Sequence, residues 1–181
     1  SCLLCLGIYH TVMRWYDRPC PSLVFYNVRG CPAIHCIAED GTSWLNYADT
    51  LSDKRRLQAV AANYWRRHQL LPPIEVTADC QNVDFCRHQQ IVFYHGCRIC
   101  MVTDNRWRNK YAASPLFINY MYLCKGYNGR LEELTGLFSP SCILLDASLS
   151  DDRKQFFREE CKRLHLHFIT LSEEGSVRFL L

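Results

Sequence analysis

FINYMYLCKGYNGRLEELTGLFSPSCILLDASL, residues 117–149, is the stretch whose reading decides the fold. The apolar, aromatic run 117–124 ends at a turn carrying Gly126 and Gly129. Leu131, Leu134 and Leu137 then recur at threes, the spacing of one helical face. After Gly136 and Pro140 a second apolar run, 142–145, ends in Asp146. The period passes from buried strand to helical stripe and back, which predicts strand, helix, strand. Strands joined in this way lie parallel in one sheet with a right-handed crossover. A ligand of such a sheet sits at the carboxyl ends of its strands, and here those ends carry Lys125, Gly126, Asp146 and Ser148. These residues offer little that could do chemistry.

Upstream, 22–28 (SLVFYNV) and 33–38 (AIHCIA) predict strands, with Gly30 and Pro32 in the turn between them. Asp40-Gly41 is a hairpin signal, and 43–47 (SWLNY) returns. Ser52 caps a helix predicted over 52–69, with Asp53 in its first turn and Leu57, Val60, Ala61 and Tyr64 as its inward stripe. Pro72-Pro73 stops it. A short strand, 74–77, is followed by a polar stretch, 79–88, predicted as loop. His95-Gly96 joins 90–94 to 98–102 as a second hairpin, and 104–110 (DNRWRNK) is a basic, aromatic loop. Beyond the central stretch, Ser148 or Ser150 opens a helix whose stripe is Phe156, Phe157, Cys161 and Leu164. Strands at 167–171 and 176–181 close the chain around Glu174-Gly175. The sum is an α/β fold, a layered α/β sandwich rather than a doubly wound sheet.

At 181 residues, half of them apolar, the chain is long enough for one domain with a sizeable core. It starts at Ser1 rather than Met, as expected of a fragment. The run 2–9 is shorter than the ~20 apolar residues a bilayer span needs. It also lacks the leader of a signal peptide. Arg14, Trp15 and Tyr16 behind it resemble a membrane-interface belt. Two readings of residues 1–21 stay open: a membrane-proximal segment ending a transmembrane helix, or an ordinary buried element. The 12 cysteines are too dilute for a disulfide scaffold, and Cys36, Cys124 and Cys142 sit in apolar runs as small hydrophobes. One or two bridges remain open in an oxidising space. A net charge of +3 is weaker than a dedicated nucleic-acid binder requires.

Candidate sites are few. Cys97 and Cys100 form half of a zinc or redox motif, but three residues apart on a strand they point to opposite faces. Cys80, Cys86, His88 and His95 offer thiolate and imidazole, at spacings that match no metal module. His35, between Ile34 and Cys36, is expected at the surface or rim by alternation. His10, His68, His165 and His167 have no spaced acid partner. Asp49, Asp79, Asp104 and Asp146 all follow strands, where catalytic carboxylates sit but turn formers do too. No phosphate loop, nucleophile elbow or His-Glu-x-x-His occurs, so no cofactor is expected. Lys54, Arg55, Arg56, Arg66 and Arg67 make the first helix basic. In the loop, Arg106, Trp107, Arg108 and Lys110 combine cations with a stacking plate, the pairing that grips single strands.

In order, these pieces resemble the C-terminal metallo-β-lactamase-like domain of ComEC-type competence proteins, inner-membrane channels for DNA uptake. The resemblance covers residues 22–181 and is carried by VRGCPAIHCIAEDGTSWLNYAD, DNRWRNK and LLDASLSDDRKQFFREECKRL, closest to the divergent Bacteroidetes-type form. It implies a truncated, degenerate metallo-β-lactamase fold. The opening meander keeps its aspartate in Tyr47-Ala48-Asp49-Thr50 but not the glycines that follow. The family's His-x-His-x-Asp-His loop is matched by Thr77-Ala78-Asp79-Cys80-Gln81-Asn82, its His-Gly by Lys125-Gly126, and its late histidine by Ser148-Leu149-Ser150-Asp151. Without those imidazoles a two-metal hydrolytic site has no scaffold, and the Lys125 ammonium could stand where a metal's charge was. The resemblance therefore implies no catalytic or metal residues. It implies an accessory domain on the periplasmic side of the inner membrane. Its partners would be single-stranded DNA, the channel portion of the same polypeptide and other uptake proteins. Two alternatives stay open: a divergent metal-dependent nuclease or phosphoesterase around Asp79, Cys80, His88 and His95, and a purely structural platform.

Overall fold

The computed structural model describes residues 20–47, 54–68 and 70–181. The segment 1–19, with His10, Arg14, Trp15 and Tyr16, lies outside them, as do Asp49, Ser52 and Asp53. The first strands are β1 (Ser22–Phe25), β2 (Ala33–Ile37) and β3 (Ser43–Tyr47), an antiparallel meander as predicted. Helix α1 (Lys54–Arg67) leads to β4 (Ile74–Val76), which pairs parallel with β3. The sheet order is β12-β1-β2-β3-β4, where β12 (Val177–Leu180) is the last strand of the chain.

A second sheet runs β11-β10-β9-β8-β7-β6-β5. Its hairpins are β5 (Cys80–Gln81), β6 (Phe85–His88), β7 (Ile91–Tyr94) and β8 (Cys97–Val102). The turn between β7 and β8 is His95-Gly96, both at positive φ (47° and 75°), the left-handed pair that a two-residue hairpin needs. Strands β9 (Leu116–Leu123) and β10 (Phe138–Leu145) are parallel and joined through α2 (Leu131–Thr135), the strand–helix–strand unit predicted. Helix α3 (Asp151–Arg163) starts at Ser150, whose Oγ accepts from the Arg153 N–H. Then come β11 (Phe168–Thr170) and the short α4 (Leu171–Glu174).

Three apolar clusters hold these layers together. Leu23, Phe25, Ile34 and Trp44 of the first sheet meet Phe85, Val92, Ile99, Met101 and Tyr122 of the second. The outer side of the first sheet packs on Leu57 and Ala61 of α1. The outer side of the second packs on Leu131 and Leu134 of α2 and Phe157 and Cys161 of α3. The result is an α/β fold of two mixed sheets with helices outside them.

The structure departs from four expectations. The stretch 79–88 is not loop: Phe85 is buried and stacks on Trp44 at 5.7 Å, which draws its polar neighbours into two short strands. His35 is not at the rim but 0 % exposed, because α1 covers the face to which alternation assigns it. Val60 is exposed rather than part of the inward stripe of α1. The closing strands are joined by the short α4 ahead of Gly175 rather than by a turn alone, and β11 ends the second sheet while β12 ends the first.

Candidate functional site

The carboxyl ends of β3, β4, β8, β9 and β10 gather at one edge of the two sheets, and the side chains there are organised by a guanidinium. Arg87 points inward from β6, and its Nη1 donates to Asn46 Oδ1 (2.7 Å) and to the carbonyls of Val76 (3.1 Å) and Tyr47 (3.4 Å). Its Nε donates to the Gln89 carbonyl (3.3 Å). Burial lowers its pKa, an effect opposed by the negative charge of Asp79. Asn46 in turn donates to Met101 Sδ (3.8 Å), which ties the first sheet to the second at this edge. Asp79 accepts from the Gln89 N–H (2.6 Å) and lies 3.3 Å from His88 Nδ1.

At the end of β10, Asp146 is 0 % exposed. It accepts from the Tyr122 hydroxyl, the Ser148 hydroxyl and the Ser148 N–H (2.8 Å). Burial raises its pKa, and the Ser148 and Tyr122 hydrogen bonds hold that rise in check. Its lone pairs face donors within its own corner, and the neighbouring Lys125 is exposed with its backbone N–H on Ser148 Oγ (3.3 Å). Gly126 has φ +114° and lies so close to the Thr103 carbonyl that a Cβ would collide with it. The turn after β9 therefore rests directly on the loop after β8.

That loop, residues 103–115, makes the crossover from β8 to β9 and holds the four candidate contact residues. Arg106 grips Asp104 through Nε (3.0 Å) and Nη2 (2.8 Å), which depresses the Asp104 pKa. Trp107 is half-buried against Phe138, and its Nε1 donates to Gln90 Oε1 (2.6 Å). Arg108 pairs with Glu133 (3.2 Å), and the exposed Lys110 stands 5.5 Å from the centre of the Trp107 ring. The loop thus presents its cations outward while the indole is used to fasten it.

The other candidates scatter. Among Cys80, Cys86, His88 and His95, only His88 meets Asp79. Cys80 and Cys86 lie on opposite faces, and His95 sits on the β7–β8 turn. Among the described residues no three His, Cys, Asp or Glu side chains converge to hold a metal ion. Cys97 packs between the sheets and Cys100 on the helix side, as alternation requires. His35 Nδ1 shares a hydrogen bond with the Tyr26 hydroxyl (2.8 Å), and burial pulls its pKa down to about 3. The His68 ring lies 4.3 Å from that of Tyr64, tilted by 38°. His167 Nδ1 lies 3.2 Å from Cys142 Sγ, a contact invisible in sequence because the two are 25 residues apart. Burial pushes that thiol up to about 11, far from a reactive thiolate. On α1, Lys54 pairs with Glu75 at 2.7 Å. Arg87, read only as part of a loop, is the residue that sequence reasoning missed; its basic neighbours gave no signal.

Among the described residues no helix is long and apolar enough to cross a membrane. No curated protein matches the chain, and no solved structure does. Residues 23–181 match the family model of the ComEC C-terminal domain. That match takes in both sheets, the guanidinium-centred edge and the basic crossover, and the chain belongs to the ComEC C-terminal domain family.

Proposed function

We propose that residues 22–181 form a non-catalytic, metallo-β-lactamase-like accessory domain of a DNA-uptake channel in the inner membrane. Residues 1–21 are its membrane-proximal segment, and the domain lies on the periplasmic side. Family membership supports the role in competence and DNA uptake. The observation that carries the non-catalytic reading is the Arg87 guanidinium, which donates to the ends of both β3 and β4. Two-metal hydrolysis needs imidazoles and carboxylates converging on that edge. A fixed positive charge there repels a metal cation, and Asp146 already faces its own hydroxyl donors. The residues present do not fit a metal pair. DNA, the channel part of the polypeptide and other uptake proteins are the partners in this reading, with Arg106, Trp107, Arg108 and Lys110 on the DNA-facing loop.

One observation favours the enzyme alternative, the Asp79–His88 contact at 3.3 Å. Elemental analysis of the purified chain and incubation of labelled DNA with Mn²⁺ or Zn²⁺ separate the two. The expected result is sub-stoichiometric metal and intact DNA. Stoichiometric metal with cleavage abolished by Asp79→Ala would establish a nuclease instead.

A further inference from the structure

Helix α1 has two unlike sides. Leu57 and Ala61 are buried against the first sheet, with Tyr64 and Trp65 packed beside them. Turned away from the sheet, at helical spacing, are two rows. One is Arg55, Ala59, Ala62 and Arg66; the other is Arg56, Val60, Asn63 and Arg67. Each row has an arginine at either end, about 16 Å apart along the axis, and short uncharged side chains between them. All of these residues but Ala62 are exposed.

The charge on this side is unbalanced. Residues 54–67 carry five Lys and Arg and no acid. Lys54 is paired with Glu75 (2.7 Å), whereas Arg55, Arg56, Arg66 and Arg67 have no carboxylate partner among the described residues. Asp53, just ahead of the helix, lies outside those residues. Arg178 of β12 adds to the excess. Its register sets it beside Val24, on the α1 side of the first sheet, and its charge reaches Tyr64 and His68.

Arginines set around short side chains make a flat cationic ridge that can lie against a plane of anions. A grip on nucleic acid is built differently. The rings of this helix, Tyr64 and Trp65, are turned to the sheet, so its outer side has no plate on which a base could stack. A helix on the outside of a sheet is also a ridge, not a groove that follows a strand. A bilayer carrying acidic headgroups is the extended, planar anion that fits it. The guanidiniums would meet lipid phosphates, and Val60, 39 % exposed, would rest at the headgroup boundary.

We propose that the outer side of α1 docks the domain on an anionic lipid bilayer, with Arg55, Arg56, Arg66 and Arg67 as the headgroup contacts. This goes beyond the uptake reading and does not depend on DNA contact by the crossover loop.

The test is co-sedimentation of the whole chain with vesicles of phosphatidylethanolamine and phosphatidylglycerol, and with vesicles of phosphatidylcholine alone. The chain is expected to bind the anionic vesicles, to ignore the neutral ones and to be released at about 1 M salt. Changing Arg55, Arg56, Arg66 and Arg67 together to Gln should weaken binding by about fivefold per arginine. Arg106→Gln with Arg108→Gln should leave it unchanged. Circular dichroism checks that each variant keeps the fold. Undiminished vesicle binding by the folded helix variant overturns the proposal and leaves the uptake reading untouched. Equal binding of neutral vesicles overturns headgroup recognition. If the helix variant loses affinity for a labelled oligonucleotide while anionic vesicles fail to compete with that oligonucleotide on the wild-type chain, α1 serves nucleic acid and the lipid assignment falls.

Discussion

Two crossovers lie on the same face of the second sheet and are built in opposite ways. From β9 to β10 the chain passes through α2, whose Leu131 and Leu134 are buried in the core. Its first turn is secured twice: Glu133 Oε1 accepts from the Arg130 N–H (3.4 Å), and the buried Glu160 of α3 accepts from the Leu131 N–H (2.7 Å). From β8 to β9 the chain makes the same parallel step through residues 103–115 without a helix. There the apolar anchor is Trp107, and most of the other side chains face water. A helix satisfies its own backbone and buries a whole stripe, so it can carry stability. A loop with one anchor buries little and leaves its cations available, which is where binding residues concentrate. One crossover holds the sheet together; the other gives it something to present.

Three substitutions put this contrast under strain, beginning with the most damaging. Leu134→Ala removes a fully buried side chain from the α2 crossover and should cost about 2–5 kcal/mol in urea unfolding. Trp107→Ala removes a half-buried ring and strands the Gln90 amide, at about 2 kcal/mol. Its clearer signature is local: amide exchange should accelerate at Arg108, whose N–H bonds the Asn105 carbonyl, and stay slow in β9 and β10. If Trp107→Ala melted the whole sheet as Leu134→Ala does, the two crossovers would not differ as described. Arg108→Ala breaks only a solvent-exposed ion pair with Glu133 and should change stability by less than about 1 kcal/mol. A larger loss would mean that charge, not the indole, fastens the loop.

The parallel unit around α2 was readable because its period changes twice, and the β7–β8 hairpin because His95-Gly96 suits left-handed backbone. The meander was readable for the same reason, yet His35 was not. Alternation marks a buried polar residue as exposed when a sheet is covered on both sides, and the first sheet has α1 on one side and the second sheet on the other. Phe93 and Phe117 show the converse: apolar residues within strand runs that stay 39 % and 51 % exposed. Strands β5 and β6, the last two of the second sheet, were hidden by polar composition, and with them Arg87, whose partners Asn46 and Tyr47 lie 41 and 40 residues away. Contacts made by long side chains across two sheets leave no period to read. The contact loop was legible as basic and aromatic, but not the division of labour within it, where two arginines are paired and the tryptophan is turned inward.

Gly126 gives this arrangement a mechanical consequence. Its missing side chain lets the foot of one connection sit backbone to backbone on the Thr103 carbonyl at the foot of the other, with no room for a cushioning layer. A tug on the basic strap is passed toward the base of α2 through that backbone contact, and a methyl group there would pry the two apart.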